Sequence, residues 1–324
     1  MPHAPITVAI AGSTSYTRQC AQVLSDDPDF AITHILTPTA KLTGRKQLLT
    51  PNPLDAWAHE RKIPTTWIKE KVDSFIHADL MMVTPPDLLL VVDFGYFVPG
   101  WLLSWPKKAP LNIHPSMLPR WRGSSPGQFP LLYGDEQSGV TLMIMNEAFD
   151  AGPLIKQLPF DIEPTWTAQD YYDHAFSLIT QQLPTLLKQF MADELTATAQ
   201  PEESPTAVAG KLTRDDGYIA WDLLSKLIGG QQPTDQCDFG TISPVLLDAF
   251  AETKNIYQVV ERAIRALSPW PGVWTKVSTE TGEKRLKILS AHLENSQLFF
   301  DQVQLEGKQP VAWSQQNYSA FGFL

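Results

Sequence analysis

The sequence predicts an α/β chain, with an open, mostly parallel sheet in its N-terminal part and a small β-rich part at its C-terminal end. Three observations carry this. Residues 6–11 form a β-branched-rich run closed by Gly12-Ser13; helical spacing follows over 17–24, then a second apolar run at 32–36. Strand, helix, strand in that order builds an open parallel sheet. Residues 88–92, LLLVV, are continuously apolar, as a central strand covered on both faces must be. Residues 199–209 are rich in Pro, Glu, Ser and Ala and read as a linker, beyond which short strands are predicted at 274–277, 285–289 and 298–304. The expected division is therefore 1–202, a linker at 203–210, and 211–324.

Taken in order, the elements justify that frame. Gly12 stands alone where a dinucleotide fingerprint needs three glycines, so it reads as a tight turn and a nicotinamide or flavin cofactor is not supported. Residues 37–53 read as a loop by their Pro, Gly and Thr content. They carry Lys41, Arg45 and Lys46 with no acidic residue, which fits a solvated surface loop as well as a basic finger for a nucleic-acid backbone. A short helix over 54–62 leads through 63–67 to the strand 88–92. At its C-terminal end, where open α/β sheets bind ligands, stand Asp93, Phe94, Gly95 and Tyr96, with Asp93 read as a solvated strand end. A strand at 111–113 breaks at Pro115 into an irregular loop. Asn112 and His114 occupy alternate positions and so point to one side of the sheet. A helix over 128–133 and a strand over 140–145 follow, the strand ending in MNEAFDAG, which supplies Asp150. A strand at 154–160 precedes a long amphipathic helix over 167–190, whose stripe Tyr171, Ala175, Leu178, Leu183 and Leu187 is core. Residues 229–240 lack periodicity, and 255–266 is helical.

Composition narrows the function. With 43% hydrophobic and 19% charged residues the chain is that of a soluble globular protein. Two cysteines, Cys20 and Cys237, suit a reducing compartment, hence the cytoplasm. No Cys/His metal spacing is visible, and no signal or membrane-spanning segment. A net charge of −10 opposes a simple nucleic-acid binder. The acidity is uneven, however: residues 207–324 hold 11 Lys/Arg against 13 Asp/Glu. Nothing in the sequence demands a dimer, and a monomer is expected.

An amide, an imidazole and a carboxylate at two strand ends are the equipment of an acyl-transfer site. Asn112 to His114, the run Ser116-Met117-Leu118-Pro119-Arg120-Trp121-Arg122-Gly123, and Asp150-Ala151-Gly152-Pro153 resemble the signature of the folate-dependent formyltransferases. The likeness extends over nearly all of the chain, is poor around 228–253, and is greatest to the branch whose acceptor is methionyl initiator tRNA. It implies 10-formyltetrahydrofolate as co-substrate, no metal, and a C-terminal OB-like barrel, abbreviated here because the segment between Leu289 and Leu298 is short. It also implies a folate pocket lined by Phe94, Gly95, Tyr96, Ser116, Leu118, Pro119, Met145, Asn146, Glu147 and Ala148. tRNA contacts are implied for Lys41, Arg45, Lys46, Arg120, Arg122 and Lys211.

The chemistry follows from the residues. Formyl transfer to an amine passes through a tetrahedral oxyanion, which needs hydrogen-bond donors, and the amine must lose a proton. Asn112 and His114 are the expected donors and Asp150 the expected proton acceptor, through water. Ser116, Ser124 and Ser125 lack a nucleophile-elbow motif and read as loop hydrogen-bonders. Two other readings stay open. One is a formyltransferase acting on an amino sugar nucleotide, which would not need the basic loop. The other is a folate- or RNA-binding module without catalysis.

Overall fold

The computed structural model describes residues 4–43, 47–231, 242–280 and 282–314. Two compact units are present, one built from Met1–Gly123, Gly139–Phe160 and His174–Val208, the other from Ser124–Ser138, Asp161–Asp173 and Ala209–Leu324.

The first unit is a seven-stranded sheet. Its strands are β1 (Ile6–Gly12), β2 (Phe30–Pro38), β5 (Thr65–Ile68), β6 (Leu88–Val92), β7 (Ala109–His114), β8 (Gln137–Ile144) and β9 (Leu154–Asp161), in the order β5-β2-β1-β6-β7-β8-β9. β5 through β7 are parallel, and β8 joins β7 antiparallel. All five residues of β6 are buried, which is the reason for its unbroken apolar sequence.

Helix α1 (Ser15–Ser25) starts where Thr14 and Thr17 form a capping box and buries Thr17, Cys20, Ala21 and Leu24, one stripe at helical spacing. Burial pushes the Cys20 thiol up to about 12, which leaves it an inert core group. The Thr17 hydroxyl donates to the Val92 carbonyl at 2.8 Å, tying α1 to the C-terminal end of β6. Gly12 is required there by close approach: a Cβ would lie 2.3 Å from Val92 O.

The region 37–53 is not the plain loop expected. β2 runs on to Pro38, and β3 (Lys41–Thr43) and β4 (Leu48–Thr50) pair as a hairpin with Leu42 opposite Leu49. Leu42, Leu48 and Leu49 are 60%, 63% and 69% exposed. With no buried face the segment shows no two-residue hydrophobic alternation, so its strands left no sequence signal. Asn52 then caps α2 (Pro53–Glu60), accepting from the amides of Leu54 and Asp55.

In the second unit, β10 (Val273–Thr279), β11 (Gly282–Glu294), β12 (Gln297–Leu305) and β13 (Val311–Ala312) form an antiparallel four-stranded sheet in sequence order, a small β-domain. The helix Ile256–Ala266 buries Val259, Val260, Ala263 and Ile264. Its arginines explain why earlier segments of the chain belong here: Arg262 donates to the Tyr133 carbonyl at 3.3 Å and Arg265 to the Trp166 carbonyl at 2.8 Å. Among the described residues no helix is long and apolar enough to cross a membrane.

Candidate active site

β7 lies between β6 and β8, with Asn112 opposite Val91 on one side and Met143 on the other. Asn112 and His114 therefore share a face at the strand's C-terminal end. His114 is buried, 4% exposed. Its Nε2 lies 3.1 Å from the Trp121 carbonyl, which can only accept, so Nε2 carries a proton. Nδ1 lies 3.8 Å from Asp150 Oδ1, near enough for ion pairing and too far for a direct hydrogen bond. The other Asp150 oxygen accepts from the Gly123 amide at 2.9 Å. The side-chain carboxamide of Asn112, a half-buried residue, makes no hydrogen bond among the described residues.

The backbone here is strained. Trp121 has φ +60°, Asp150 +51° and Asp93 +47°, the left-handed region that non-glycine residues rarely occupy. Each such residue costs about 1–3 kcal/mol and persists only where its surroundings enforce it. At Gly152 the turn after Asp150 presses on β8, and a Cβ would stand 1.9 Å from Ile144 O. Asp93, at the end of β6, is exposed. Burial by its neighbours still raises its carboxyl above the usual range, against a hydrogen bond from the Thr14 side chain.

The residues expected to meet a folate differ in burial. Phe94, Tyr96 and Met145 are half-buried and pack on one apolar cluster, the two rings 5.3 Å apart. Gly95, Asn146, Glu147 and Ala148 are exposed, and Pro119 is half-buried. Ser116 and Leu118 are both buried. The Ser116 hydroxyl donates to the Arg120 carbonyl at 2.8 Å, and the Leu118 carbonyl accepts from Gln157 at 2.8 Å. These bonds hold the loop from inside.

Of the residues expected to meet tRNA, Lys41 and Lys211 are exposed, and Arg120 is half-buried with its guanidinium 4.9 Å from the Trp121 ring. Arg45 and Lys46 lie outside the described residues. Arg122 is placed differently. It is 8% exposed, and its guanidinium is consumed by Gln200 and by the carbonyls of Pro201 and Glu202. The segment read as a linker is thus fastened along the loop. Ser204 donates to the Pro119 carbonyl at 2.8 Å, and Thr206 accepts from the Trp121 amide at 2.9 Å. Sequence reading missed Gln200, Ser204 and Thr206, since their partners lie roughly fifty to eighty-five residues away.

An open α/β sheet that gathers an amide, an imidazole and a carboxylate at its strand ends is the framework of a group-transfer enzyme. The chain belongs to the formyl transferase family: residues 5–187 match its formyl transferase domain and residues 254–298 its C-terminal domain. It is 30% identical over 291 residues to a methionyl-tRNA formyltransferase of Idiomarina loihiensis, covering 88% of this chain and 80% of that protein. To the one from Aromatoleum aromaticum it is 29% identical, covering 84% and 75%. Among solved structures, the fold matches a Helicobacter canadensis N-formyltransferase in complex with folinic acid and dTDP-3-aminofucose, with TM-score 0.60, 15% identity and 98% and 97% coverage. It also matches a Clostridium thermocellum methionyl-tRNA formyltransferase, with TM-score 0.55, 15% identity and 93% and 98% coverage.

Proposed function

We propose that this protein transfers a formyl group from 10-formyltetrahydrofolate to the amino group of methionine esterified to initiator tRNA. The observation that carries the chemistry is the His114–Asp150 pair at 3.8 Å beside the uncommitted Asn112 amide. The acceptor rests on kinship with proteins named methionyl-tRNA formyltransferase. In the reaction the amine attacks the formyl carbon, and the carbonyl oxygen takes up the electron pair. Collapse then breaks the bond to the donor nitrogen, which leaves with a proton. Asn112 donates to the developing oxyanion. His114 Nε2 is committed to the Trp121 carbonyl, so Nδ1, when protonated, is the second donor, with Asp150 balancing its charge. Asp150 also takes the ammonium proton through water. Phe94, Tyr96 and Met145 offer a half-buried apolar and aromatic wall, which suits a flat pteridine; Gly95, Pro119 and 146–148 edge it. Lys41, Arg45, Lys46, Arg120 and Lys211 serve the tRNA, and residues 211–324 hold its body. We place the enzyme in the cytoplasm, as a monomer.

The test is a discharge assay with the formyl-folate donor, offered methionyl initiator tRNA and, in parallel, dTDP-linked amino sugars. Formylmethionyl-tRNA is the expected product. Formylation of the sugar alone would replace this reading with the amino-sugar one, and inertness toward both would leave a binding module.

A further inference from the structure

The residue that holds the Asp150 turn is not at either strand end. Gln200 sits in the segment that follows the long helix Ala168–Met191, half-buried. Its carboxamide uses every hydrogen-bonding capacity it has. The oxygen accepts from Arg122 Nε at 3.1 Å and from Arg122 Nη2 at 3.0 Å. The nitrogen donates to the carbonyls of Asp150 at 3.0 Å and Gly152 at 2.8 Å. A guanidinium can only donate and a peptide carbonyl can only accept, so the orientation of the amide is fixed by its partners. Asparagine lacks a methylene of reach, and glutamate would set a carboxylate against two carbonyl oxygens.

We propose that Gln200 is a positioning residue for formyl transfer, acting through Asp150; this rests on the role of Asp150 given above. Asp150 is left-handed at φ +51°, and such a conformation lasts only where neighbours over-determine it. Gln200 supplies that constraint by fixing the carbonyls at 150 and 152, which sets the direction in which the Asp150 side chain leaves the backbone. The anchor behind Gln200 is itself fixed: Arg122 Nη1 donates to the Glu202 carbonyl at 3.1 Å and Nη2 to the Pro201 carbonyl at 2.7 Å. A few residues on, Thr206 receives the Trp121 amide at 2.9 Å, and Trp121 offers its own carbonyl to His114. One strap, residues 200–206, therefore sets the register of both the acid and the imidazole. Gln200 bonds to neither reacting side chain, which separates positioning from chemistry.

The experiment uses the full chain with Gln200→Glu and Gln200→Met. Gln200→Glu keeps an acceptor for Arg122 and loses both donations, so the strap stays anchored while the turn is released. Gln200→Met removes all four bonds without adding charge. Both are expected to lower kcat about 10–100-fold, as a small misplacement of a reacting group does, with KM for donor and acceptor within about twofold. Amide exchange at 148–152 is expected to accelerate about tenfold or more while β6 and β7 are unchanged. Unchanged kcat in a folded Gln200→Glu would overturn the proposal, even with faster exchange, because the clamp would then be structural only. A loss confined to KM would overturn it too. If the wild-type protein fails to formylate methionyl-tRNA, the functional reading falls, whereas exchange at 148–152 unchanged from wild type in both variants would sink the clamp by itself.

Discussion

The reaction loop and the β3–β4 hairpin belong to the same unit and follow opposite rules. In the loop 116–123 and the turn 148–152, Leu118, Trp121 and Arg122 are buried, backbone strain is tolerated at two non-glycine residues, and polar groups are cross-tied by Gln200, Ser204 and Thr206. In the hairpin, leucines that could have entered a core stand 60–69% exposed, and Lys41 is exposed beside them. On the proposed function, the difference matches what each would meet. A one-carbon acyl group gives few handles, so donors must be held in place before it arrives. A large polyanionic acceptor would be met by surface charge.

The contrast breaks first at Asp150. Asp150→Asn keeps the size of the side chain and an acceptor for the Gly123 amide, and removes the base. Single-turnover formyl transfer at saturating donor and tRNA is expected to slow about 10²–10⁴-fold, with thermal unfolding nearly unchanged. Near wild-type turnover in a folded variant would mean that the loop's order serves stability and not chemistry. The hairpin gives the smaller, complementary effect. Replacing Lys41, Arg45 and Lys46 with Ala is expected to raise KM for tRNA several-fold and to reduce the slope of log affinity against log salt by about 0.7–0.9 for each phosphate that is no longer neutralised. Donor KM and Tm should not move. A fall in kcat with KM and salt slope intact would place the hairpin in the chemistry and erase the distinction.

The sheet, and the shared face of Asn112 and His114, were legible because they leave traces in the sequence. LLLVV could hardly be anything but a covered strand, and the two-residue spacing of Asn112 and His114 put them on one face. The supports of the site left no such trace. Gln200, Ser204 and Thr206 sit in a Pro-, Glu- and Ser-rich stretch whose composition matches a linker, and their partners lie in distant parts of the chain. Arg122, next to a tryptophan in a loop, has the look of a surface cation, yet Gln200 and two carbonyls satisfy it in the interior. Ser116 and Leu118 enter the expected pocket through the family resemblance alone, and no feature of the sequence tells that both are buried. Left-handed Trp121 and Asp150 are invisible for a related reason: glycine announces positive φ in a sequence, whereas tertiary packing imposes it silently.

The smallest expected effect asks whether the strained, ordered region extends to the end of β6. Asp93 shares the left-handed backbone of Trp121 and Asp150, and Asn adopts that conformation readily, so Asp93→Asn isolates charge from shape. Desolvation raises the carboxyl of Asp93 in the folded protein, which means the folded state binds its proton more tightly than the unfolded chain does. The charged form therefore costs stability once the pH is above the folded value, and nothing below the unfolded value, where both states are protonated. Asp93→Asn should raise Tm at neutral pH, by no more than about 1–2 °C because the side chain is partly open to water. The gain should shrink as the pH falls through the carboxylate range and vanish under it. A gain of equal size at acid and neutral pH would trace the effect to backbone fit instead of charge. If Asp93→Asn also lowers kcat with KM unchanged, the end of β6 belongs with the reaction loop, and the rule that separates it from the hairpin covers three strand ends.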